Sequence, residues 1–447
     1  MYNTNTIILH DKKLILYSKN NCILAKEFKN CCIFVLRQLF SSKFKDYKNL
    51  SENEQEVIDN FKLLKVDVSK FWLPSYKNLD KYFKVTKNVD YYNNLPMQSS
   101  QQLIKETLES FNAYLNALKE YKLCPEKFTG RPKMPGYIKI MTTVTITNQD
   151  AVWYTDGLKL PKFKKRINIG NLNLGKIKEV QIKPFYDTFK ICITSEGKES
   201  PIPTKNKKEV KLKQNKINTL KNKTFDKNRI LGIDLGLNNF LTTSNNCGLC
   251  PLIINGKDIK SYNQFFNKQK AKYQSLNATK KLNILSRKRF NFLNNKYEQI
   301  SSYIAFYAYE NEIGTIVIGK NNSWKQNINL GKVNNQNFTF IGYESFIKKL
   351  TYKCLKLKIQ VIEVEESYTS KASFLDKDEI PVYDKNDKTK YKFSGKRIKR
   401  GLYKTKKGIL INADVNGASN IIKKYNINAF KRKRQPYLTK TVIKVNI

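Results

Sequence analysis

Ile233-Asp234-Leu235-Gly236 closes the short apolar run Ile230-Leu231-Gly232 and precedes a second strand-like stretch, Asn239-Phe240-Leu241-Thr242-Thr243. One carboxylate is thereby set at a strand-to-turn edge. Far downstream, Asp414 stands at the entrance to a helix in Ile411-Asn412-Ala413-Asp414-Val415-Asn416-Gly417-Ala418. Cutting a phosphodiester with two divalent ions needs several converging carboxylates, so that ions about 3.5 to 4 Å apart stabilise both the attacking and the leaving oxygen. Mg2+, a hard cation, takes oxygen ligands, so a third acid is expected at another strand end. The apolar strand Thr315-Ile316-Val317-Ile318 is followed by Gly319-Lys320, which supplies none. The next strand ends in Val364-Glu365-Glu366-Ser367 and delivers two adjacent glutamates to the same rim of a parallel sheet. Side chains alternate along a strand, so one of the pair faces the site; Glu366 is preferred and Glu365 is the alternative. Each aspartate also has a structural use. Asp in a Gly-Ile-Asp-Leu-Gly segment can simply form a turn, and Asp414 can cap its helix.

Composition bears on the choice. Lys and Arg number 83 against 37 Asp and Glu, a formal net charge of +46 over 447 residues. Solubility needs far less, and a polyanion that gives up counterions on binding is the natural partner. Hydrophobic residues at 40% and aromatics at 12% suffice to build cores, which excludes wholesale disorder. The length calls for roughly two to four domains. No apolar stretch approaches the roughly 20 residues of a spanning helix, and Met1-Tyr2-Asn3-Thr4-Asn5 lacks a basic-then-apolar leader. A soluble, intracellular partner of nucleic acid, not of a membrane, is therefore expected. Cys247-Gly248-Leu249-Cys250 has zinc-knuckle spacing, yet no second such pair exists and His10 is the sole histidine. Bound zinc is not expected.

The elements that would position these acids follow from periodicity. Ile7-Ile8-Leu9 and Leu14-Ile15-Leu16 read as strands, with helix beginning near Phe34-Val35-Leu36. Residues 50 to 125 are helical in pattern, most clearly from Leu103 to Leu118, where apolar positions recur at three and four. Two prolines and two glycines break the chain at Thr129-Gly130-Arg131-Pro132-Lys133-Met134-Pro135-Gly136-Tyr137. Short β-branched runs follow, around Val144, Val152, Ile167, Val180 and Ile191, and predict a small antiparallel barrel flanking the helical insert. The Lys- and Asn-rich stretch 205–228 reads as a solvated linker. Beyond it come strand, hairpin strand, a third strand at 251–255, a long helical stretch at 263–310, a strand at 315–318, a helix at 344–357, a strand at 359–364 and a last helix at 416–424. That is the order of an RNase H-like α/β fold. Residues 372–408 interrupt it, and Lys431-Arg432-Lys433-Arg434 is a basic cluster. Tyr82, Phe83, Tyr91 and Tyr92, interleaved with lysines, are candidates to stack on bases, although core positions are the commoner use of such residues.

Taken together, Gly232-Ile233-Asp234-Leu235-Gly236, the segment from Ile318 to Lys325, the run from Glu365 to Asp376, and Asn412-Ala413-Asp414-Val415-Asn416-Gly417-Ala418 resemble the TnpB family and its eukaryotic and viral relatives, the Fanzor proteins. These are transposon-encoded RNA-guided nucleases related to type V CRISPR effectors. The resemblance is dense from 229 to 424 and weaker before, where Gly130 to Tyr137 is similar to the family's Gly-x-Pro-x-x-Pro element. It implies an α+β multidomain protein: a wedge-like antiparallel β-barrel with linker (1–30 and 130–222), a helical recognition lobe inserted into it (31–129), an RNase H-like RuvC nuclease domain (223–371 and 409–430), a nucleic-acid-binding insertion lacking zinc cysteines (372–408) and a basic tail (431–447). Asp234, Glu366 and Asp414 would be the catalytic and metal-binding acids, with Glu365 the alternative to Glu366, around a two-metal Mg2+ site. Guide RNA and target double-stranded DNA would be the partners, in a monomeric ribonucleoprotein acting in the cytoplasm or nucleoid of a prokaryote, or in the nucleus if the host is eukaryotic or viral. Two departures from the family pattern stand out. Gly319 occupies the usual position of the middle glutamate, so cutting depends on the subset in which that acid is relocated, which Glu365 or Glu366 fits. The paired-cysteine zinc ribbon before Asp414 is missing. A guided DNA binder that no longer cuts and a transposase-like recombinase are the alternatives.

Overall fold

A computed structural model describes residues 2–93, 95–154, 157–168, 174–196, 225–320, 341–383, 389–399, 401–430, 436–439 and 442–447. Most of the expected linker, the Trp324-Lys325 motif and the Lys431-Arg432-Lys433-Arg434 cluster lie outside the described residues. The chain divides into two compact units, Met1–Pro203 and Thr204–Ile447.

In the first unit, β1 (Tyr2–Ile8) leads into helices α1 (Lys12–Ser42), α2 (Glu52–Leu63), α3 (Tyr76–Val85) and α4 (Met97–Leu123), then strands β2 (Val144–Thr147), β3 (Val152–Tyr154), β4 (Gly157–Lys159), β5 (Ile177–Phe185) and β6 (Thr188–Glu196). Leu14-Ile15-Leu16, expected as a strand, belongs to α1. The side chain of Asp11 accepts from Leu14 N at 2.8 Å and caps the helix. Buried Leu14, Cys22, Ala25, Phe28, Cys32, Leu36 and Leu39 then recur at helical spacing, so the longer period overrides the local apolar run. The strands pair in the order β1-β6-β5-β2, all antiparallel, with β3-β4 as a separate hairpin. Among the described residues this sheet is open rather than the closed barrel expected. Helix α1 covers it instead, with Cys22 accepting from Thr142 N at 3.3 Å, and sheet and helices share one core. Tyr82, Phe83 and Tyr91 lie in that core, Phe28 meeting Phe83 and Tyr91 edge-on, so of the four aromatics considered for base stacking only Tyr92 is exposed.

The second unit is built on β7 (Ile230–Leu235), β8 (Asn239–Asn245), β9 (Leu252–Asn255), α5 (Lys257–Ser275), α6 (Thr279–Glu310), β10 (Thr315–Gly319), α7 (Tyr343–Lys356), β11 (Gln360–Val364), β12 (Lys396–Lys399), β13 (Leu402–Lys404), β14 (Leu410–Asn412), α8 (Ala413–Tyr425) and β15 (Ile443–Val445). The sheet order is β11-β10-β7-β8-β9-β15. The first three strands in sequence form an antiparallel meander, β10 and β11 add in parallel beside β7, and β15 pairs in parallel with β9. Part of the segment expected as a basic tail is thus a strand, because the β-branched residues Val442, Ile443 and Val445 suit a sheet edge. The long helical stretch is two helices, parted at Asn277, whose φ is 49°. Helix α8 lies directly on the sheet. A Cβ on Gly232 would stand 2.5 Å from Ala418 O and from Ile422 Cγ1, so only glycine lets the helix approach β7 this closely. Among the described residues no helix is long and apolar enough to cross a membrane.

Candidate active site

Asp234 is the penultimate residue of β7, half-buried at the carboxyl end of the strand. Its turn is fixed by the Tyr343 hydroxyl, which donates to Gly236 O at 2.9 Å. Enclosure by protein raises the Asp234 carboxyl well above the ordinary carboxylate range. The charges of Glu366 and Asp414 push it further in the same direction, and Arg397 opposes them. The charges of two further acids, Glu366 and Asp414, therefore reach Asp234 at this end of the sheet.

Glu366 arrives by an indirect route. Gly319 ends β10 and faces Val364 of β11 in register. Two residues beyond Val364 the chain folds back, and Glu366 Oε2 lies 2.8 Å from where a Cβ on Gly319 would be, with Ile421 Cδ1 at 2.5 Å. The missing side chain at 319 is the space that the Glu366 carboxylate borders. The loop that brings it there is stapled to α8. Thr369 Oγ1 donates to Glu366 O at 2.8 Å, Asn420 Nδ2 donates to Thr369 O and Ala372 O, both at 2.8 Å, and Asn416 Nδ2 donates to Ala372 O at 2.8 Å while accepting from Phe374 N at 3.0 Å. Glu365 turns the other way. It pairs with Lys424 and accepts from Ser367 N at 2.6 Å; burial works to raise its carboxyl, but these donors hold it below the ordinary value.

Asp414 sits in the first turn of α8, yet the cap is Asn412, whose side chain accepts from Asp414 N at 3.0 Å and Val415 N at 3.1 Å. The Asp414 carboxylate is spared for the cleft, where it accepts from Asn239 Nδ2 at 2.8 Å and pairs with Arg397 Nη2 at 3.1 Å. Gly417, one turn on, leaves room for Asp234: a Cβ there would stand 2.8 Å from Asp234 Oδ2.

The structure thus brings Asp234, Glu366 and Asp414 together and sends Glu365 away. Sequence reasoning missed Asn239, Arg397, Asn416, Gly417 and Asn420. The i, i+4 spacing of Asn416 and Asn420 was a visible signal, since residues four apart lie side by side on one helix face. Arg397 had none, being one cation among many in a charged stretch. That stretch is itself ordered by two carboxylates. Asp376 Oδ2 accepts from Ser373 Oγ at 2.7 Å and Lys406 N at 2.8 Å, and Asp378 Oδ2 accepts from Ser373 N at 2.8 Å and Ser394 N at 3.0 Å. The Tyr403 ring is buried beneath them, its hydroxyl donating to Lys371 O at 2.8 Å. Cys247 and Cys250 lie in the β8–β9 connection, where Gly248 takes a φ of +87° and Asn245 Oδ1 accepts from Cys247 N and Leu249 N at 3.0 Å.

Among the described residues no three His, Cys, Asp or Glu side chains stand close enough, as placed, to hold a metal ion.

Two family models match the chain: a probable transposase family, OrfB_IS605, over residues 202–325, and the Cas12f1-like TNB domain over residues 343–421. Asp234 and Gly319 fall in the first match, Glu366 and Asp414 in the second. The chain is similar to a solved Cas12f1–sgRNA–target DNA complex at 16% identity, over 94% of this chain and 98% of that one, with a TM-score of 0.31. It is similar to a CRISPR-Cas12f ternary complex at 13% identity, over 92% and 85%, with a TM-score of 0.33, and to the mini-RNA-guided endonuclease CRISPR-Cas phi3 at 12% identity, over 100% and 94%, with a TM-score of 0.43. No curated protein matches the chain.

Proposed function

We propose, from the premise that this chain is a TnpB-like protein, that it is an RNA-guided, Mg2+-dependent endonuclease. It cuts double-stranded DNA matched to a guide RNA and is encoded by a transposable element. The observation that carries this reading is the return of the Glu366 carboxylate to the space beside Gly319, which completes three acids at one end of the sheet. The order β11-β10-β7-β8-β9, a meander with two parallel strands added beside β7, supports an RNase H-like reading.

The donor set fits Mg2+. Asp234, Glu366 and Asp414 offer only oxygen ligands, and a carboxyl raised by burial and by two neighbouring acids is one that a divalent cation would return to its charged form. When bound, Mg2+ supplies Lewis-acid stabilisation of the attacking and leaving oxygens of a phosphodiester. The protein's own part is positional. Asn412 takes the capping role that would otherwise consume Asp414, Asn239 orients that carboxylate, and the asparagines of α8 hold the Glu366 loop. Arg397, which pairs with one Asp414 oxygen, would turn aside to give a cation full access to that oxygen. Its side chain is 42% exposed, so it has room to turn, and it then stands beside the acids as a cation for a phosphate.

Guide pairing would read the target while the protein reads backbone geometry, and the net charge of +46 supplies affinity rather than specificity. Residues 372–408, with exposed Lys396, Arg397 and Lys399 on β12, serve as the nucleic-acid-binding insertion. The sheet and helices of the first unit take the wedge and recognition roles. A second reading, guided DNA binding without cutting, is favoured by the Arg397–Asp414 pair.

The test is to co-purify the protein with the noncoding RNA of its own locus and measure Mg2+-dependent cutting of a guide-matched duplex. Parent activity lost in Asp234→Ala and Glu366→Ala but kept in Glu365→Ala is the expected result. Guided binding with no cutting would move the assignment to the second reading. Strand transfer in place of hydrolysis, or no bound RNA, would sink the guided nuclease.

A further inference from the structure

The same end of the sheet carries an aromatic surface that the acids do not use. Asn239, which bonds Asp414, follows Asn238, and Asn238 accepts from Gly256 N at 2.8 Å and from Lys260 Nζ at 3.1 Å. The first turns of α5 are therefore tied to the rim on which Asp234 and Asp414 stand. One half-turn past Lys260, the Tyr262 ring lies flat on Phe292 of α6, with centroids 4.2 Å apart and planes 9° apart. Phe265 meets Tyr262 edge-on at 6.2 Å and is 52% exposed. Lys296 fixes the arrangement, bonding Asp258 at 3.1 Å and the backbone oxygen of Ile447 at 2.6 Å, just past the end of β15. Together these side chains line a cavity of about 470 Å³.

A phenylalanine ring half in water beside a stacked pair is a platform for a flat, apolar surface. A protein partner and a nucleobase both offer one, and charge decides between them. Residues 257–310 hold 11 Lys and Arg against 3 Asp and Glu. Lys268 and Lys272 follow Phe265 along α5 and Lys288 stands one turn before Phe292, all three exposed. Cations around an aromatic face are the arrangement that binds bases by stacking and phosphates by charge. Strands in a sheet lie about 4.8 Å apart. From β7 to the β9–β15 edge is two or three such steps, a distance that a few nucleotides span.

We propose that Tyr262, Phe265 and Phe292 form a stacking site for an unpaired base of the DNA strand being cut, a few nucleotides from the scissile phosphate, with Lys268, Lys272 and Lys288 holding its flanking phosphates. The identity of the strand rests on the guided-nuclease reading. The site itself rests on the aromatic geometry and the charge.

The experiment uses the full chain with its guide RNA and a matched duplex carrying 2-aminopurine at successive positions around the cut, with Ca2+ for binding and Mg2+ for cutting. Stacking quenches one position in the parent, and Phe265→Ala, which removes an exposed ring, restores that signal and raises the KM for cutting roughly 5- to 100-fold with kcat within about twofold. Phe265→Trp keeps the quenching. A parent that cuts normally while no DNA position shows Phe265-dependent quenching overturns the stacking site and leaves the nuclease standing. Phe265-dependent quenching of a probe placed in the guide RNA, and not in the DNA, overturns the assignment to the cut strand. Binding with Phe265-dependent quenching but no cutting upholds the site and sinks the nuclease. Neither binding nor cutting sinks both.

Discussion

Gly417→Ala adds one methyl group and aims it at the most consequential carboxylate in the molecule. The new Cβ would stand 2.8 Å from Asp234 Oδ2 and 3.5 Å from its Cγ, where ordinary contact begins at 3.4 Å. The overlap is about 0.6 Å. The helix has little freedom to yield, because α8 already touches the bare backbone of β7 at Gly232. The carboxylate must move instead, away from its alignment with Glu366 and Asp414. A displacement of about 1 Å at reacting groups costs on the order of 100-fold, so about half that distance should slow cutting roughly 10-fold or somewhat more. Stability should behave differently. Alanine inside a helix is favoured over glycine by about 1 kcal/mol, and an overpacked contact costs roughly 1–3 kcal/mol, leaving a net loss of at most about 2 kcal/mol. Single-turnover cutting at saturating guide and Mg2+, beside thermal unfolding of the same preparations, separates the two quantities. Gly136→Ala is the control, since nothing lies within 4 Å of its Cβ position. A folded Gly417→Ala protein that cuts at the parental rate would refute both the seat of Asp234 beneath α8 and its place in the chemistry.

Three further outcomes are expected. The Asp234 carboxyl is raised in the folded state, first by burial and then by Glu366 and Asp414, so Mg2+-free protein loses stability as pH rises through the folded value. Asp234→Asn should therefore raise the melting temperature in EDTA near neutral pH, by an amount that fades toward the ordinary range near 3.8; added Mg2+ should stabilise the parent and not the variant, and equal shifts in both would refute the site. At Glu54, burial works to raise the carboxyl, but Lys45, Ser41 and Ser51 hold it down at about 2. Its contribution, on the order of 3 kcal/mol at most, is present above the ordinary value and lost as pH falls through about 2, so urea midpoints of Glu54→Gln and parent should differ at neutral pH and converge in strong acid. Asn420→Ala withdraws a donor from Thr369 O and Ala372 O; it should cost about 1–3 kcal/mol and raise the Mg2+ concentration for half-maximal cutting, and a change in stability alone would show the staple to be merely structural.

Asp234 and Asp414 were legible because each stands where one element hands over to the next, at a strand end and a helix start, and such places are set by local pattern. The meander β7-β8-β9 was legible for the same reason. Helix α1 was not, since Leu14-Ile15-Leu16 satisfies either period, and the deciding stripe of Cys22, Phe28 and Leu36 lies further along. The strands of the first unit could be read singly, but whether a sheet closes depends on pairings far apart in sequence, and here a helix covers the sheet instead. Tyr82, Phe83 and Tyr91 alternate with lysines because α3 and the turn after it are amphipathic, and nothing local separates that pattern from a stacking surface. Arg397 and Asn239 acquire meaning only from Asp414, 17 and 175 residues away.

The position of Glu366 shows why helix α8 matters more here than strand β10. An acid at 319 would be held by the ladder hydrogen bonds of its own strand. An acid at 366 has left the sheet, so something else must fix it. The fixing groups are Asn416 and Asn420, on the helix whose first turn carries Asp414 and whose Gly417 admits Asp234. One element therefore carries Asp414, holds the loop of Glu366 and leaves room for Asp234. Substitutions at 416, 417 and 420 should couple in double-mutant cycles, because each shifts the same rigid body against the same strand ends. Changes within β10, which is buried at all five positions, should cost stability, and at 319 any side chain would in addition meet both Ile421 and the Glu366 carboxylate.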